Sequence, residues 1–145
     1  GSNFAKTILR LAHDREALNV VADQYGAPAS AALLADVTAQ LVRQQRHEGA
    51  ENFPFGLYHL VAGGETTWCD YARFVVSEAL ATGKQLKLSP DSIRAIPSSE
   101  YPTPATRPAN SRLDTSKLRS TFGLELPNWQ SGVRHILQQI LGEGK

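Results

Sequence analysis

Several things that would fix a chemistry are missing from this chain. It has one cysteine, Cys69, in 145 residues. No internal disulfide can form, and no cysteine cluster can hold zinc. A reducing, cytoplasmic setting is therefore expected. No apolar run approaches the ~18–20 residues needed to cross a bilayer, and no basic-then-apolar leader opens the sequence, so no membrane partner is expected. Charge of one sign is also absent: 15 Lys and Arg stand against 14 Asp and Glu, a formal net charge of +1. That balance argues against a broad nucleic-acid-binding face, while leaving room for a local phosphate site.

Further absences bear on catalysis. None of the 11 glycines falls into G-x-G-x-x-G or G-x-x-G-x-x-G, the strand–helix turn that lets backbone approach a dinucleotide pyrophosphate. The residues four after Tyr25, Tyr58, Tyr71 and Tyr101 are Ala29, Ala62, Val75 and Ala105. The tyrosine–lysine pair of a hydride-transferring short-chain reductase is thus not here. No Gly-x-Ser-x-Gly elbow occurs. His13, His47, His59 and His135 lack ligand spacing for a metal, and His59 reads as a core or edge residue of a predicted strand. Cys69 falls in the first turn of a predicted helix, where a thiol pKa can drop. With no histidine near it in sequence, it reads as a buried, inert thiol. No catalytic residue is assigned.

What is present is ordinary globular material. Hydrophobic residues make up 41% and charged residues 20%, enough for one domain with a real core. Phe4, Ile8 and Leu11 share a helical face over residues 3–13. Residues 19–23 are β-branched and bounded by turn formers, which predicts a strand. Ser30 is placed to cap a helix over 31–46 with Leu34, Val37 and Leu41 facing inward. Residues 57–61 read as a second strand closed by Gly63-Gly64. Thr67 and Asp70 have capping-box spacing before a helix that buries Tyr71, Phe74 and Val75 and stops at Gly83. Five of the 8 prolines lie between Pro90 and Pro108, so residues 84–113 should hold at most one strand and one or two helical turns. Segments of this kind are often functional. Asp114 is expected to cap a short helix closed by Gly123. Trp129, Val133, Ile136, Leu137 and Ile140 stripe a final helix. The fold class is α/β and helix-rich, with two or three short strands. Two isolated strands make a poor sheet and would more naturally extend one whose other strands lie upstream.

Three segments carry a resemblance: residues 23–28, Asp-Gln-Tyr-Gly-Ala-Pro; residues 56–64, Gly-Leu-Tyr-His-Leu-Val-Ala-Gly-Gly; and residues 101–114, Tyr-Pro-Thr-Pro-Ala-Thr-Arg-Pro-Ala-Asn-Ser-Arg-Leu-Asp. With Gly63-Gly64-Glu65-Thr66-Thr67-Trp68, they resemble the C-terminal third to half of bacterial dTDP-4-dehydrorhamnose reductases, members of the extended short-chain dehydrogenase/reductase superfamily. The resemblance runs from Asn3 to about Leu141. It implies that residues 3–145 form the sugar-nucleotide-binding part, with the Rossmann NAD(P)-binding half absent. Gly1-Ser2 reads as a remnant of tag removal.

The resemblance also implies an activity for the parent protein: reduction of dTDP-4-dehydro-L-rhamnose to dTDP-L-rhamnose with NADPH or NADH, in polysaccharide biosynthesis. The cofactor would bind the missing half, and a Mg2+ requirement is left open. The fragment alone is expected to be inactive. Its expected partners are the sugar nucleotide and its own N-terminal half; the resemblance leaves room for a homodimer. Arg107 and, three residues on, Asn110 match the family's diphosphate contacts. Arg107 also stands out by itself, because flanking prolines make a rigid loop for a guanidinium clamp. Arg112 reads as structural. Asn3 and Phe4 match an Asn-Asn-Phe-Ala-Lys-Thr signature near the diphosphate, with Ser2 in place of the first asparagine; a helix N-terminus there offers N–H groups to phosphate. Gln24 and Gly26 match the loop that holds the nucleobase, Gln24 either reading a base edge or bracing the loop and Gly26 permitting a tight turn. Ala29 stands where the family usually has threonine. Trp68 reads as packing. Two rivals remain: a non-catalytic regulatory subunit resembling the β subunit of methionine adenosyltransferase, and an autonomous nucleotide-sugar-binding module.

Overall fold

A computed structural model describes residues 3–105 and 107–142. The expected tag remnant, Gly1-Ser2, lies outside the described residues. Five helices carry the architecture: α1 (Phe4–Asp14), α2 (Ala31–Glu48), α3 (Trp68–Ala81), α4 (Ser116–Phe122) and α5 (Trp129–Gly142). Four short strands sit among them: β1 (Leu18–Val21), β2 (Tyr25–Gly26), β3 (Thr66–Thr67) and β4 (Ile93–Ile96). β1 pairs in parallel with β4, Leu18 opposite Ile93 and Val21 opposite Ile96. β2 pairs antiparallel with β3. The helix-rich α/β reading of the sequence holds.

Side chains start α2 and α3 where the sequence placed them. Ser30 Oγ accepts the Leu33 N–H at 3.1 Å, and Thr67 Oγ1 accepts the Asp70 N–H at 3.1 Å. Each satisfies a donor that the first helical turn cannot. α3 is the central element. Cys69, Ala72, Val75, Val76 and Ala79 are sealed from solvent, and α3 packs against α1, α5 and both strands of the parallel pair. A second, smaller core gathers Val37, Leu118, Phe122 and Leu124 under α2 and α4.

Four local expectations are corrected. Residues 57–61 form no strand. Leu57 is 79% exposed, while Tyr58 and Leu60 rest on the second core; apolar residues that face a core one by one need no ladder. On α2 the inward face is Leu33, Val37 and Leu41, spaced four apart, and Leu34 is 39% exposed. The cap residue of α4 is Thr115, although its side chain makes no capping bond. Asp114 acts one position earlier, its Oδ1 accepting the Ser116 N–H at 2.8 Å. Finally, Gly26 makes no turn. It lies extended in β2, its φ is not positive, and an added Cβ would meet Ser111 at an ordinary 3.7 Å.

The proline-rich segment behaves as composition dictates. It holds one strand, β4, between the single 3-10 turns Pro90–Ser92 and Ser98–Glu100. Beyond Tyr101 it returns to the body through β2: Tyr25 N–H donates to Ala109 O and Ser111 N–H donates to Tyr25 O, both at 2.8 Å. Two bonds to one residue pin the segment beside the β2–β3 pair.

Candidate functional site

Where β1 gives way to β2, two cavities of about 250 and 280 Å³ open on the surface, and Gln24, Trp68 and Arg107 line both. The first adds the β2 backbone, Pro28, Thr66 and Ser111. The second runs along α1 and β1 and adds Phe4, Asn19, Tyr101 and Thr103. Both are open clefts, mostly apolar with a few convergent polar groups, the usual make-up of a small-molecule site.

The apolar wall is built at two helix starts. Phe4 opens α1 and Trp68 opens α3; their rings meet at 4.7 Å, and Phe4 also meets Tyr71 at 4.9 Å. Tyr71 in turn packs edge-on against buried Trp129 at 5.8 Å. The cleft surface is therefore the outer end of an aromatic chain rooted in the core. Such pairs contribute about 0.5–1.5 kcal/mol each beyond area burial.

The polar wall is a row of hydrogen bonds. The Trp68 indole N–H donates to Gln24 Oε1 at 3.2 Å. Gln24 Nε2 donates to Ser98 Oγ at 2.9 Å. The Ser98 hydroxyl donates to Asp23 Oδ1, and the Ser98 backbone N–H donates to both Asp23 carboxylate oxygens at 2.9 and 3.0 Å. The Ser98 hydroxyl, then its backbone N–H, hold the exposed Asp23 carboxyl below its ordinary pKa by bonding the charged form.

Arg107 overhangs both cavities and is exposed. Among the described residues no carboxylate pairs with it. Arg112 differs: its Nη1 meets Glu65 at 2.8 Å, its Nε donates to Asn110 Oδ1 at 2.9 Å, and its guanidinium lies 5.5 Å over the Tyr25 ring.

Of the six residues singled out in the sequence, Phe4, Gln24, Gly26 and Arg107 come together around the two cavities. Asn3 and Asn110 line neither. Asn3 Oδ1 caps α1 by accepting the Lys6 N–H at 2.9 Å. Asn110 Oδ1 accepts from both the backbone and the side chain of Arg112. Sequence reasoning missed Tyr101 and Thr103 as cavity residues, and it missed Asp23 and Ser98 as anchors. Trp68 packs as read, and it also faces the cleft. His59 is exposed and lies in no strand, so it is not the core or edge residue expected, and Cys69 is fully buried, with burial pushing its thiol pKa up.

Among the described residues no glycine-rich turn is open to a dinucleotide pyrophosphate. The Gly63-Gly64 turn is the nearest approach to a glycine-rich loop before a helix, and its space is filled by the chain itself. A Cβ on Gly63 would meet Leu126 O at 3.2 Å, and one on Gly64 would meet Trp129 Cδ1 at 3.3 Å. Among the described residues no cluster of three or more His, Cys, Asp or Glu is placed to hold a metal.

Residues 1–141 match the family model described as the RmlD substrate binding domain. The chain belongs to that family. A dTDP-4-dehydrorhamnose reductase of Salmonella typhimurium is 53% identical over 97% of the chain and 45% of the relative. One from Sinorhizobium fredii is 42% identical over 100% of the chain and 47% of the relative. Among solved structures, a dTDP-4-dehydrorhamnose reductase of Clostridium acetobutylicum superposes with a TM-score of 0.79 at 27% identity, covering 97% of this chain and 45% of that one. The Bacillus anthracis reductase, solved in complex with NADP, gives 0.76 at 27% identity over 96% and 44%. The chain thus spans a little under half the length of the relatives it matches. No helix of the described residues is long and apolar enough to cross a membrane.

Proposed function

We propose that this chain is the sugar-nucleotide-binding part of a dTDP-4-dehydrorhamnose reductase, and that the paired cavities hold its substrate. The observation that carries the reading is Arg107. It is a guanidinium without a carboxylate partner among the described residues, overhanging both cavities of a domain whose relatives are such reductases. A diphosphate laid across the boundary between the cavities would meet Arg107 by charge-assisted, bidentate hydrogen bonds. The cavity beside β2 would take the nucleoside, and the cavity along α1 and β1 would direct the sugar toward the preceding half of the enzyme. Asn3 and Asn110 serve the site indirectly, by capping α1 and by seating Arg112.

The nicotinamide, NADPH or NADH, would lie on that preceding half and supply the hydride. The residues of this chain bind and orient the sugar nucleotide so that its ketone meets the reacting groups in one pose. The edge of β1 not used by β4, beside the second cavity, is where the preceding half would add to the sheet. The setting proposed is cytoplasmic, as befits a nucleotide-sugar substrate. The test is turnover of dTDP-4-dehydro-L-rhamnose with NADPH. The 145-residue chain alone should give no rate above the blank, and the same segment joined to its preceding half should be active. Turnover by the chain alone would overturn the assignment.

A further inference from the structure

The polar wall of the cleft has a direction. Trp68 donates to Gln24, Gln24 donates to Ser98, and Ser98 donates to Asp23. Only the last member is an anion, and it can accept but not donate. Its charge orients the Ser98 hydroxyl, which leaves the Ser98 oxygen as acceptor for an amide N–H. This settles which end of the Gln24 amide is nitrogen and leaves its oxygen for the indole. Reversing the amide would set oxygen against oxygen at Ser98 and nitrogen against the indole N–H. Each bond in such a row polarises the next. Asp23 and Ser98 line neither cavity, whereas Gln24 and Trp68 line both.

We infer that Asp23 and Ser98 are positioning residues for the sugar-nucleotide site: through one hydrogen-bond row they lock the Gln24 amide and the Trp68 ring, so that Gln24 offers the ligand its remaining N–H. Gln24 thus presents one N–H to a ligand acceptor and, at Oε1, the second lone pair of its carbonyl oxygen to a ligand donor. This rests on the function proposed above. The row also joins three parts of the chain that share no sequence neighbourhood, since Gln24 and Ser98 are 74 residues apart and Gln24 and Trp68 are 44 apart. Its members close the site only when β1, β4 and α3 are all docked.

The experiment uses the complete reductase carrying this segment, with Ser98→Ala and Ser98→Thr. Losing one hydrogen bond of a row costs about two- to tenfold in an equilibrium. Ser98→Ala should therefore raise Kd for dTDP and KM for the sugar nucleotide by about two- to tenfold, with kcat and the NADPH KM nearly unchanged. Ser98→Thr, which keeps the hydroxyl, should restore both. In tryptophan-15N-labelled protein, the Trp68 indole N–H resonance should move in Ser98→Ala and return in Ser98→Thr, with the Trp129 resonance fixed throughout. Should Ser98→Ala not fold, Asp23→Ala breaks the row from its far end, outside both cavities, and is expected to move the same readouts. Unchanged dTDP affinity in the alanine variant, or a threonine variant as impaired as the alanine one, overturns the inference. Failure of the wild-type reductase to bind dTDP would instead overturn the function on which it rests.

Discussion

Arg112 lies 5.5 Å over the ring of Tyr25, while the same guanidinium binds Glu65 at 2.8 Å. Tyr25 is the residue that pins the proline-rich segment, through its backbone bonds to Ala109 and Ser111. Arg112 thus clamps the side chain of a residue whose backbone positions the loop bearing Arg107. Both ends of the ion pair are about half exposed, so solvent screens it and its own contribution is about 0.2–1 kcal/mol. The cation–π contact adds a similar amount, about 0.5–1 kcal/mol. Arg112→Ala should lower stability by about 1 kcal/mol in urea unfolding. Arg112→Lys should recover less than half of this, because an ammonium cannot stack on Tyr25 and fork to Glu65 and Asn110 together. A lysine variant as stable as wild type would contradict the clamp.

The pH dependence at the start of α4 has a fixed sign. Asp114 is exposed, and its carboxyl is held below the ordinary value, first by the Ser116 side chain and then by the Ser116 backbone N–H. A carboxyl depressed on folding stabilises the fold above its unfolded pKa, and that stabilisation is lost as pH falls through the folded value. The stability gap between wild type and Asp114→Asn should be constant near neutrality, begin to shrink as pH falls into the ordinary aspartate range, and close once pH is below the folded value. Unfolding curves of both proteins from pH 7 to pH 2 check this. A gap that stays constant to the lowest pH would show that the charge plays no part.

The second core makes a prediction of its own. Leu118, on α4, is 1% exposed in the second core. Leu118→Ala should cost about 2–5 kcal/mol, the loss expected when a sealed leucine is cut to alanine. Because the cluster is separate from the one around α3, amide exchange should quicken first in α2, α4 and residues 53–60. Uniform acceleration, α3 included, would show that the two clusters unfold as one unit.

How much of this was legible follows from the range of each interaction. The starts of α2 and α3 could be read from Ser30 and Thr67 because a cap and its donor lie three residues apart. The stripe on α5 was legible because helical period needs no knowledge of the partner. Residues 57–61 misled because an apolar run signals burial, and whether a ladder partner exists is decided elsewhere in the chain. Leu33 and Leu34 are adjacent, and only the position of the second core selects between them. Arg107 was legible through its proline neighbours. Asp23 and Ser98 were not, since their bonds span 75 residues and neither residue has a local pattern that announces the other.

The most direct test of the central claim is the affinity of the complete reductase for dTDP before and after Arg107→Ala. A charge-assisted contact of about 1.5–3 kcal/mol predicts a Kd for dTDP weakened by about 10- to 100-fold, with the Kd for NADPH unchanged. Equal dTDP affinity in wild type and variant would contradict the account.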